Sequence, residues 1–528
     1  MTNSFAELEN AKCIMVIGSN TTVAHPIGSM WLMRAISNGA KLIVVDPRKT
    51  QIAQLAHLHV QHNLGSDVAL INSMMHVIYK NGWHNQAFIE ERTEKIEDLL
   101  GVIEEYPPEK VAKITGVPAA TIKQMAEWYA KSEASAICYV LGITQHCCGT
   151  DNVKSLANLA MLCGHIGRPS TGVNPIRGQN NVQGACDMAA LPNVLPGYQY
   201  ITVPEHIEKF SKAWGVELSP TPGLTLVDQI EAIHDGKIKG LVVFGANPTV
   251  SYPDINRVED ALKKLECLVV QDIFPTATTK LAHVVLPGAS FVEADGTFTN
   301  SERRVQRVRK AIEPIPGKEN WETIQELSSR MGYPMNYNSP EEIFDEMASL
   351  TPAFGGMTYE RLAEKGLCWP CPTPEHPGTQ YLHKDRFSRG LGLFHAVPYR
   401  APAEAPDKEF PFWLTTGTIF THYLTGTMTR RCSSLHYENP QVFVEINPKD
   451  AEKMQVTEGE EIEAKTRRGT IKVKALVTDR VKPGVVFIPL HYVENAANRL
   501  TNSTKAALDP ATKTPEYKVC AVSLQKVA

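Results

Sequence analysis

Val16-Ile17-Gly18-Ser19-Asn20-Thr21-Thr22-Val23-Ala24-His25-Pro26 has a counterpart more than 200 residues later, Val243-Phe244-Gly245-Ala246-Asn247-Pro248-Thr249-Val250-Ser251-Tyr252-Pro253. In the first copy the apolar run Cys13 to Ile17 reads as a buried strand that turns at Gly18. A helical pattern from His25 to Asn38 follows, with Gly39 as its stop, and Lys41 to Val45 is a second strand. Further on, Leu42-Ile43-Val44-Val45-Asp46 matches Leu268-Val269-Val270-Gln271-Asp272, and Leu55-Ala56-His57 matches Leu281-Ala282-His283. Asp46 to His57 and Asp272 to His283 are both eleven residues apart. Strand, glycine turn, helix and strand make a βαβ unit whose ligand crevice lies at the carboxyl ends of the strands. An internal duplication of about 45 residues therefore predicts an α/β protein with two related Rossmann-like, doubly wound domains.

Two crevices predict two nucleotide-like ligands. Gly18 and Gly245 would let the backbone approach a phosphate, and Asn20 and Asn247 would offer amides beside it. Asp46 and Asp272 stand just past a strand end, where a carboxylate accepts from a ribose hydroxyl or a base amine. Neither turn is G-x-G-x-x-G, which disfavours a plain NAD site. A doubly wound fold with polar turns and no ligand is the alternative reading.

Elsewhere the chain is ordinary for a globular protein. Lys and Arg number 53 against 57 Asp and Glu, a net charge of −4 that argues against a nucleic-acid scaffold held by bulk positive charge. No apolar run is long enough to span a bilayer. The start, Met1 to Lys12, lacks the basic and apolar regions of a secretory signal, so a cytoplasmic location is expected. The odd count of 11 cysteines argues against a disulfide framework, and the single C-x-x-C, Cys368 to Cys371, is weak evidence for zinc against two loop thiols. Tyr106 to Lys131 reads as helical, Ala136 to Ile143 as a strand and Asn152 to Cys163 as a helix. The basic run Ser301 to Lys310 is either a solvated face or an edge strand. Residues 350–410 are rich in Pro and Gly and read as linker and loop. Beyond them, short strands at 412–416, 442–446, 461–466, 470–477 and 485–489 predict a small β-barrel. Four domains are expected: 1–178 and 179–291 as the two dinucleotide-binding units, 292–408 as a connecting region, and 409–528 as the barrel.

Gly172-Val173-Asn174-Pro175-Ile176-Arg177-Gly178-Gln179-Asn180-Asn181-Val182-Gln183-Gly184-Ala185-Cys186-Asp187-Met188 carries the functional signal. Its glycines bring backbone close to a ligand, its amides can read the edges of a polyfunctional heterocycle, and Arg177 can fork onto a carboxylate or phosphate.

This loop closely resembles that of the molybdopterin oxidoreductases, and within them the formate dehydrogenase catalytic subunits. The resemblance continues through Asp46-Pro47-Arg48, Gly65-Ser66-Asp67, the segment from Gln271 to Pro287, Thr415 to Arg430, Glu445 to Ala451, and the tail Asn498 to Lys518. It implies a barrel of the double-psi type. It also implies a molybdenum or tungsten centre held by two molybdopterin guanine dinucleotides, one nucleotide end in each duplicated crevice, and reversible two-electron oxidation of formate to carbon dioxide. Arg177, with Gln179, is implied as the catalytic pair that orients formate. Gly18, Asn20, Asp46, Pro47, Arg48, Gly65, Asp67, Gly142, Gln145, Gly178, Asn181, Gly245, Asn247, Gln271 and Asp272 are implied as cofactor residues of the α/β domains. Thr418, His422, Asn498, Asn502, Tyr517 and Lys518 would close over the pterins from the barrel.

The resemblance also implies an iron–sulfur domain and a metal-ligating selenocysteine or cysteine followed by histidine, neither of which this sequence contains. Both are expected upstream of Met1, as though a UGA codon had been read as stop, so the chain alone is expected to be inactive. A natural split subunit or a decayed gene would leave the same gap. Implied partners are that N-terminal portion and an iron–sulfur electron-transfer subunit, a hydrogenase or a diaphorase, with no nucleic acid. Another molybdopterin oxidoreductase such as nitrate reductase, or a non-catalytic scaffold of a respiratory complex, is the alternative reading.

Overall fold

Cys13–Ile17 (β1), Lys41–Val45 (β2), Leu58–Val60 (β3), Ser135–Tyr139 (β4) and Gly172–Pro175 (β5) form a parallel sheet in the order β3-β2-β1-β4-β5. The computed structural model describes residues 1–527. Register runs from Cys13↔Lys41 to Ile17↔Val45 on one side of β1 and from Cys13↔Ser135 to Ile17↔Tyr139 on the other. Every residue of β1 is buried. Met15, Ile17, Ile43, Val45, Ile137 and Tyr139 face one apolar core, and Ile14, Val16, Leu42, Val44, Ala136 and Cys138 face a second. Both faces are thus covered, which is why these strands are continuous apolar runs rather than alternating ones. The helix expected after β1 forms over Pro26–Ser37, with its proline in the first turn.

Two expectations for this region change. Tyr106 to Lys131 is two helices, Pro108–Thr115 and Ala119–Lys131. Gly116 closes the first in the left-handed conformation, and Pro118 keeps Val117 out of the helical region. The strand expected to reach Ile143 ends at Tyr139, and Leu141–Thr144 is a single helical turn. β1 stops at Ile17, where Gly18 turns with φ 57°, so β4 has no partner on that side beyond Tyr139.

Residues 1–176, 247–260 and 381–528 pack into one unit, and 177–246 with 261–380 into another. The second unit holds Gly240–Phe244 (β6), Cys267–Asp272 (β7) and Val284–Pro287 (β8), parallel in the order β8-β7-β6. This is the repeat, and it extends to the hydrogen bonds. Gly18 N donates to Val45 O at 2.9 Å and Gly245 N to Gln271 O at 2.8 Å. His57 Nδ1 accepts from Leu42 N at 3.0 Å and His283 Nδ1 from Leu268 N at 2.9 Å. The same unit holds an antiparallel sheet of Gly296–Thr299 (β9), Arg304–Val308 (β10) and Leu367–Cys368 (β11). β10 is its central strand, neither a solvated face nor an edge. Its arginines are accommodated because Arg304 pairs with Glu302 at 2.7 Å and Arg307 with Asp295 at 2.6 Å. Arg303, fully buried, donates to the carbonyls of Trp369 and Thr379.

The barrel lies in the first unit. Phe412–Gly417 (β12), Phe443–Ile446 (β13), Glu461–Lys465 (β14), Thr470–Val477 (β15), Val485–Pro489 (β16) and Cys520–Lys526 (β17) close in the order β12-β16-β13-β15-β14-β17. The first five of these, β12 to β16, are the strands expected from the sequence. β17 completes the ring by pairing antiparallel with both β12 and β14. Among the described residues no helix is long and apolar enough to cross a membrane.

Gly18 and Gly142 touch backbone to backbone. A Cβ on Gly142 would stand 2.6 Å from Gly18 Cα, and one on Gly18 2.7 Å from the Gly142 carbonyl carbon. Gly142→Ala should therefore cost about 3 kcal/mol of stability by forcing the two chains apart. Gly101→Ala, inside the helix Ile96–Ile103 with nothing within 4 Å of the added methyl, should be neutral or stabilising by up to about 1 kcal/mol. Urea unfolding of both variants checks the pair.

Candidate cofactor crevice and arginine loop

The chain leaves β1 for β2 and β3 on one side and returns to β4 and β5 on the other. Strand order therefore reverses beside β1, and the crevice of a doubly wound sheet opens at that point, outside the carboxyl ends of β1 and β4. Gly18 and Gly142 form its floor, with Gly142 N donating to Gly18 O at 3.0 Å. Ser19 and Thr21 hydroxyls bond each other at 2.9 Å. Asn20 Oδ1, Thr22 Oγ1 and Thr50 Oγ1 are buried, and no partner for them is found among the described residues. Such atoms are costly unless something binds them.

Asp46 Oδ1 accepts from Arg48 N at 2.9 Å, and Pro47 O accepts from Gln61 Nε2 at 3.3 Å. Burial raises the Asp46 carboxyl against the opposing pull of the Arg48 backbone and of His62, Arg48 and Lys518. The Arg48 guanidinium turns to the barrel, where Nε and Nη2 each reach a carboxylate oxygen of the fully buried Glu445 at 2.6 Å. It also stacks 4.1 Å from the Phe487 ring centre. The Lys518 ammonium donates to Thr416 O at 2.8 Å, and its backbone N donates to Gln145 O at 3.4 Å. Burial pushes Lys518 down to about 8, opposed by the Asp46 charge.

Behind this lies a buried set that the sequence did not single out as such. His62 Nε2 lies 3.0 Å from Asp67 Oδ1, and His146 Nδ1 lies 3.6 Å from Glu516 Oε1. Burial opposes charge on both Asp67 and His146, but their partners prevail, holding Asp67 low and His146 high. Gly65 is pressed by the Pro402 ring, 2.5 Å from where a Cβ would be. His422 Nε2 faces Asn439 O at 2.8 Å, while its buried Nδ1 has no partner among the described residues. Thr418 is half-buried just beyond β12. The Asn498 amide donates to Val250 O at 3.0 Å and Ser251 O at 3.1 Å, and Tyr517 Oη donates to Ser251 O at 3.1 Å. These two residues therefore fasten the barrel to the turn after Asn247. Asn502 donates to Glu404 at 3.3 Å.

In the second unit, Gly245 turns with φ 58° and a Cβ there would meet nothing within 4 Å. Asp272 Oδ1 accepts from Ile273 N at 2.7 Å, and Gln271 Nε2 donates to Pro287 O at 3.3 Å. The arginine loop stands on β9 and the turn to β10. Ser301 Oγ donates to Arg177 O at 3.2 Å, and Thr299 N donates to Asn181 Oδ1 at 2.9 Å. Asn181, left-handed at φ 61°, starts the short helix Val182–Asp187. A Cβ on Gly178 would meet nothing within 4 Å, so this stretch of backbone lies open; Gln179 beside it is half-buried. Arg177 Nη1 lies 3.2 Å from Cys186 Sγ.

Residues 1–330 match the family model for molybdopterin oxidoreductases, and residues 412–521 the model described as "Molydopterin dinucleotide binding domain". The chain belongs to the molybdopterin oxidoreductase family. It is 49% identical to the F420-dependent formate dehydrogenase subunit alpha of Methanocaldococcus jannaschii over 100% of this chain and 78% of that protein. It is 40% identical to formate dehydrogenase H of Escherichia coli, over 100% of this chain and 74% of the other. Acetylene hydratase from Pelobacter acetylenicus shares the fold, with TM-score 0.79 at 20% identity over 99% of this chain and 79% of that one.

A molybdopterin dinucleotide suits this molybdopterin oxidoreductase on its own geometry. The first crevice pairs half-buried glycine backbone with orphaned acceptors at Asn20 and Thr22, which would receive amine or hydroxyl protons. Lys518 supplies an ammonium whose burial is unfavourable until an anion arrives.

The crevice sets two measurable expectations. In cofactor-free protein Lys518 titrates at about 8 when folded and at about 10.4 when unfolded. The unfolded chain binds the extra proton between those values, so the stability penalty is full below about pH 8 and is relieved as pH rises above it. Urea-unfolding free energy should thus gain between about pH 8 and 10 in the wild type, and this gain should shrink in Lys518→Met. Arg48→Ala strips Glu445 of its bidentate partner and leaves it Arg480, 3.3 Å away, among the described residues. A loss of about 3 kcal/mol is expected in the same assay.

Proposed function

We propose that this chain is the cofactor- and substrate-binding part of a formate dehydrogenase catalytic subunit, carrying out reversible oxidation of formate to carbon dioxide. The observation that carries this is the similarity to formate dehydrogenase alpha subunits along the whole chain, joined to an arginine loop tethered at Arg177, Asn181 and Asp187. The cofactor is a pair of molybdopterin guanine dinucleotides holding molybdenum or tungsten. When bound it supplies the sink for the two electrons that leave formate.

The chain's own residues then have definite tasks. Gly18, Asn20, Asp46 and Lys518 bind one nucleotide end, and Gly245 and Asp272 the other. The guanidinium of Arg177 holds both formate oxygens by paired N–H donors, which fixes the C–H bond in one direction. Held there, the two oxygens stay fixed while they lose their negative charge on the way to neutral carbon dioxide, so the arginine's contribution is orientation. The Gln179 amide, two residues on, offers a further donor. Electrons pass to an iron–sulfur protein, a hydrogenase or a diaphorase, and the assembly works in the cytoplasm.

The test uses the holoenzyme with all its subunits. Metal and guanine nucleotide should both be present, and Arg177→Ala should lower formate kcat/KM by at least about a hundredfold, the range expected when a positioned charge is removed. Formate turnover unchanged in Arg177→Ala would overturn the reading, as would a natural holoprotein with no molybdenum, tungsten or guanine nucleotide.

A further inference from the structure

Arg177 follows β5 by two residues, but on its other side there is little regular structure. The helix that follows is only Val182–Asp187, too short to hold itself. What fixes its far end is Asp187. This carboxylate is 1% exposed and each oxygen is occupied. Gln183 Nε2 donates to Oδ1 at 2.8 Å and Trp369 Nε1 donates to Oδ2 at 3.0 Å. The Gln183 amide also reaches Tyr198 Oη at 2.8 Å, and the Asp187 carbonyl accepts from Gly197 N at 2.7 Å. Trp369 is anchored in turn, because its own N donates to Arg303 O at 3.0 Å and its carbonyl accepts from the Arg303 guanidinium. One residue before Asp187, the buried Cys186 presents its sulfur to Arg177 Nη1 at 3.2 Å.

The chain of contacts runs Arg303, Trp369, Asp187, then across one peptide to Cys186 and Arg177. All of it lies in the second unit. Trp369 also packs against a small apolar core, but core packing does not account for Asp187, a buried charge that is costly unless its partners are in place. An aspartate held by an indole, an amide and the neighbouring phenol has a fixed position, so the sulfur beside it is fixed too. A guanidinium leaning on that sulfur is aimed by it.

We propose that Asp187 and Cys186 are positioning residues for Arg177, setting the direction in which its guanidinium meets the substrate carboxylate. This rests on the formate reading above. Neither residue touches substrate. Both act through the arginine, so their loss is felt as weaker and looser carboxylate binding.

The experiment is a double-mutant cycle in the holoenzyme with Asp187→Asn, Arg177→Lys and both together. Asp187→Asn keeps the shape but can no longer accept from both donors. It should raise formate KM about tenfold with kcat within about threefold, and raise the inhibition constant of acetate, a carboxylate that cannot be oxidised in the same way, by a similar factor. Metal content should be unchanged. In the Arg177→Lys background the same substitution should add less than about twofold, because the arginine through which it acts is gone. Amide hydrogen exchange over residues 177–188 should quicken in Asp187→Asn, and Asp187→Glu, which retains the charge, should recover part of the KM. Equal effects of Asp187→Asn in both backgrounds, or no change in KM and acetate inhibition, would overturn the positioning role. A harmless Arg177→Lys would instead overturn the formate reading itself. Should Asp187→Asn fail to fold, Cys186→Ala carries the same cycle with a change that leaves the buried charge intact.

Discussion

Gly18 and Gly142 meet where two strands of a parallel sheet end, with no side chain between them, and the rest of the first unit is arranged around that approach. Because a methyl group on either would overlap the other's backbone, the ends of β1 and β4 stay close enough for Gly142 N to bond Gly18 O. The chain diverges on both sides, and the polar turn at Ser19 to Thr22 follows directly, with Ser19 and Thr21 buried and bonded to each other. Beside that floor of bare peptide lie buried polar atoms with no partner among the described residues, which is costly as it stands.

Closing that floor from the barrel side takes buried charge, which is expensive unless matched. Three matched sets do so. Arg48 crosses to Glu445 with both ends of its fork, Glu516 receives Cys147 N at 3.3 Å and Ala403 N at 3.0 Å, and Thr150 binds Asp509 through both its N at 2.8 Å and its hydroxyl at 2.7 Å. Each fixes register as well as contact, because a shifted barrel would strand a carboxylate without donors. The second unit uses the same logic on a smaller scale, with Asp187 in place of Glu445.

The sequence displayed what is local. The duplication was legible because the repeated residues make repeated bonds: His57 and His283 each accept a backbone N–H from fifteen residues earlier. The arginine loop was legible because glycine and amide density is a local property. Five barrel strands were legible from alternation, and the sixth, Cys520–Lys526, was hidden behind a polar tail. Partners such as Arg48 with Glu445, separated by 397 positions, or Trp369 with Asp187, by 182, leave no spacing to read. Nothing in the spacing of Arg48 announced that its fork reaches across to Glu445 in the barrel. Residues 350–410 looked like a linker, yet Trp369 within them anchors the loop that Arg177 begins.

That anchoring has a bearing on how the protein is made. The arginine loop draws its shape from Thr299, Ser301 and Trp369, which follow it by 118, 124 and 182 residues respectively. At a synthesis rate of about 5–20 residues per second, the tryptophan that holds Asp187 is joined to the chain roughly 10–40 s after the aspartate itself. During that interval the first parallel sheet, complete by Pro175, has all its strands and can condense. The nascent chain therefore carries the sheet and glycine floor of the first crevice before it carries the tryptophan that holds Asp187, and the barrel that closes over that floor is made last.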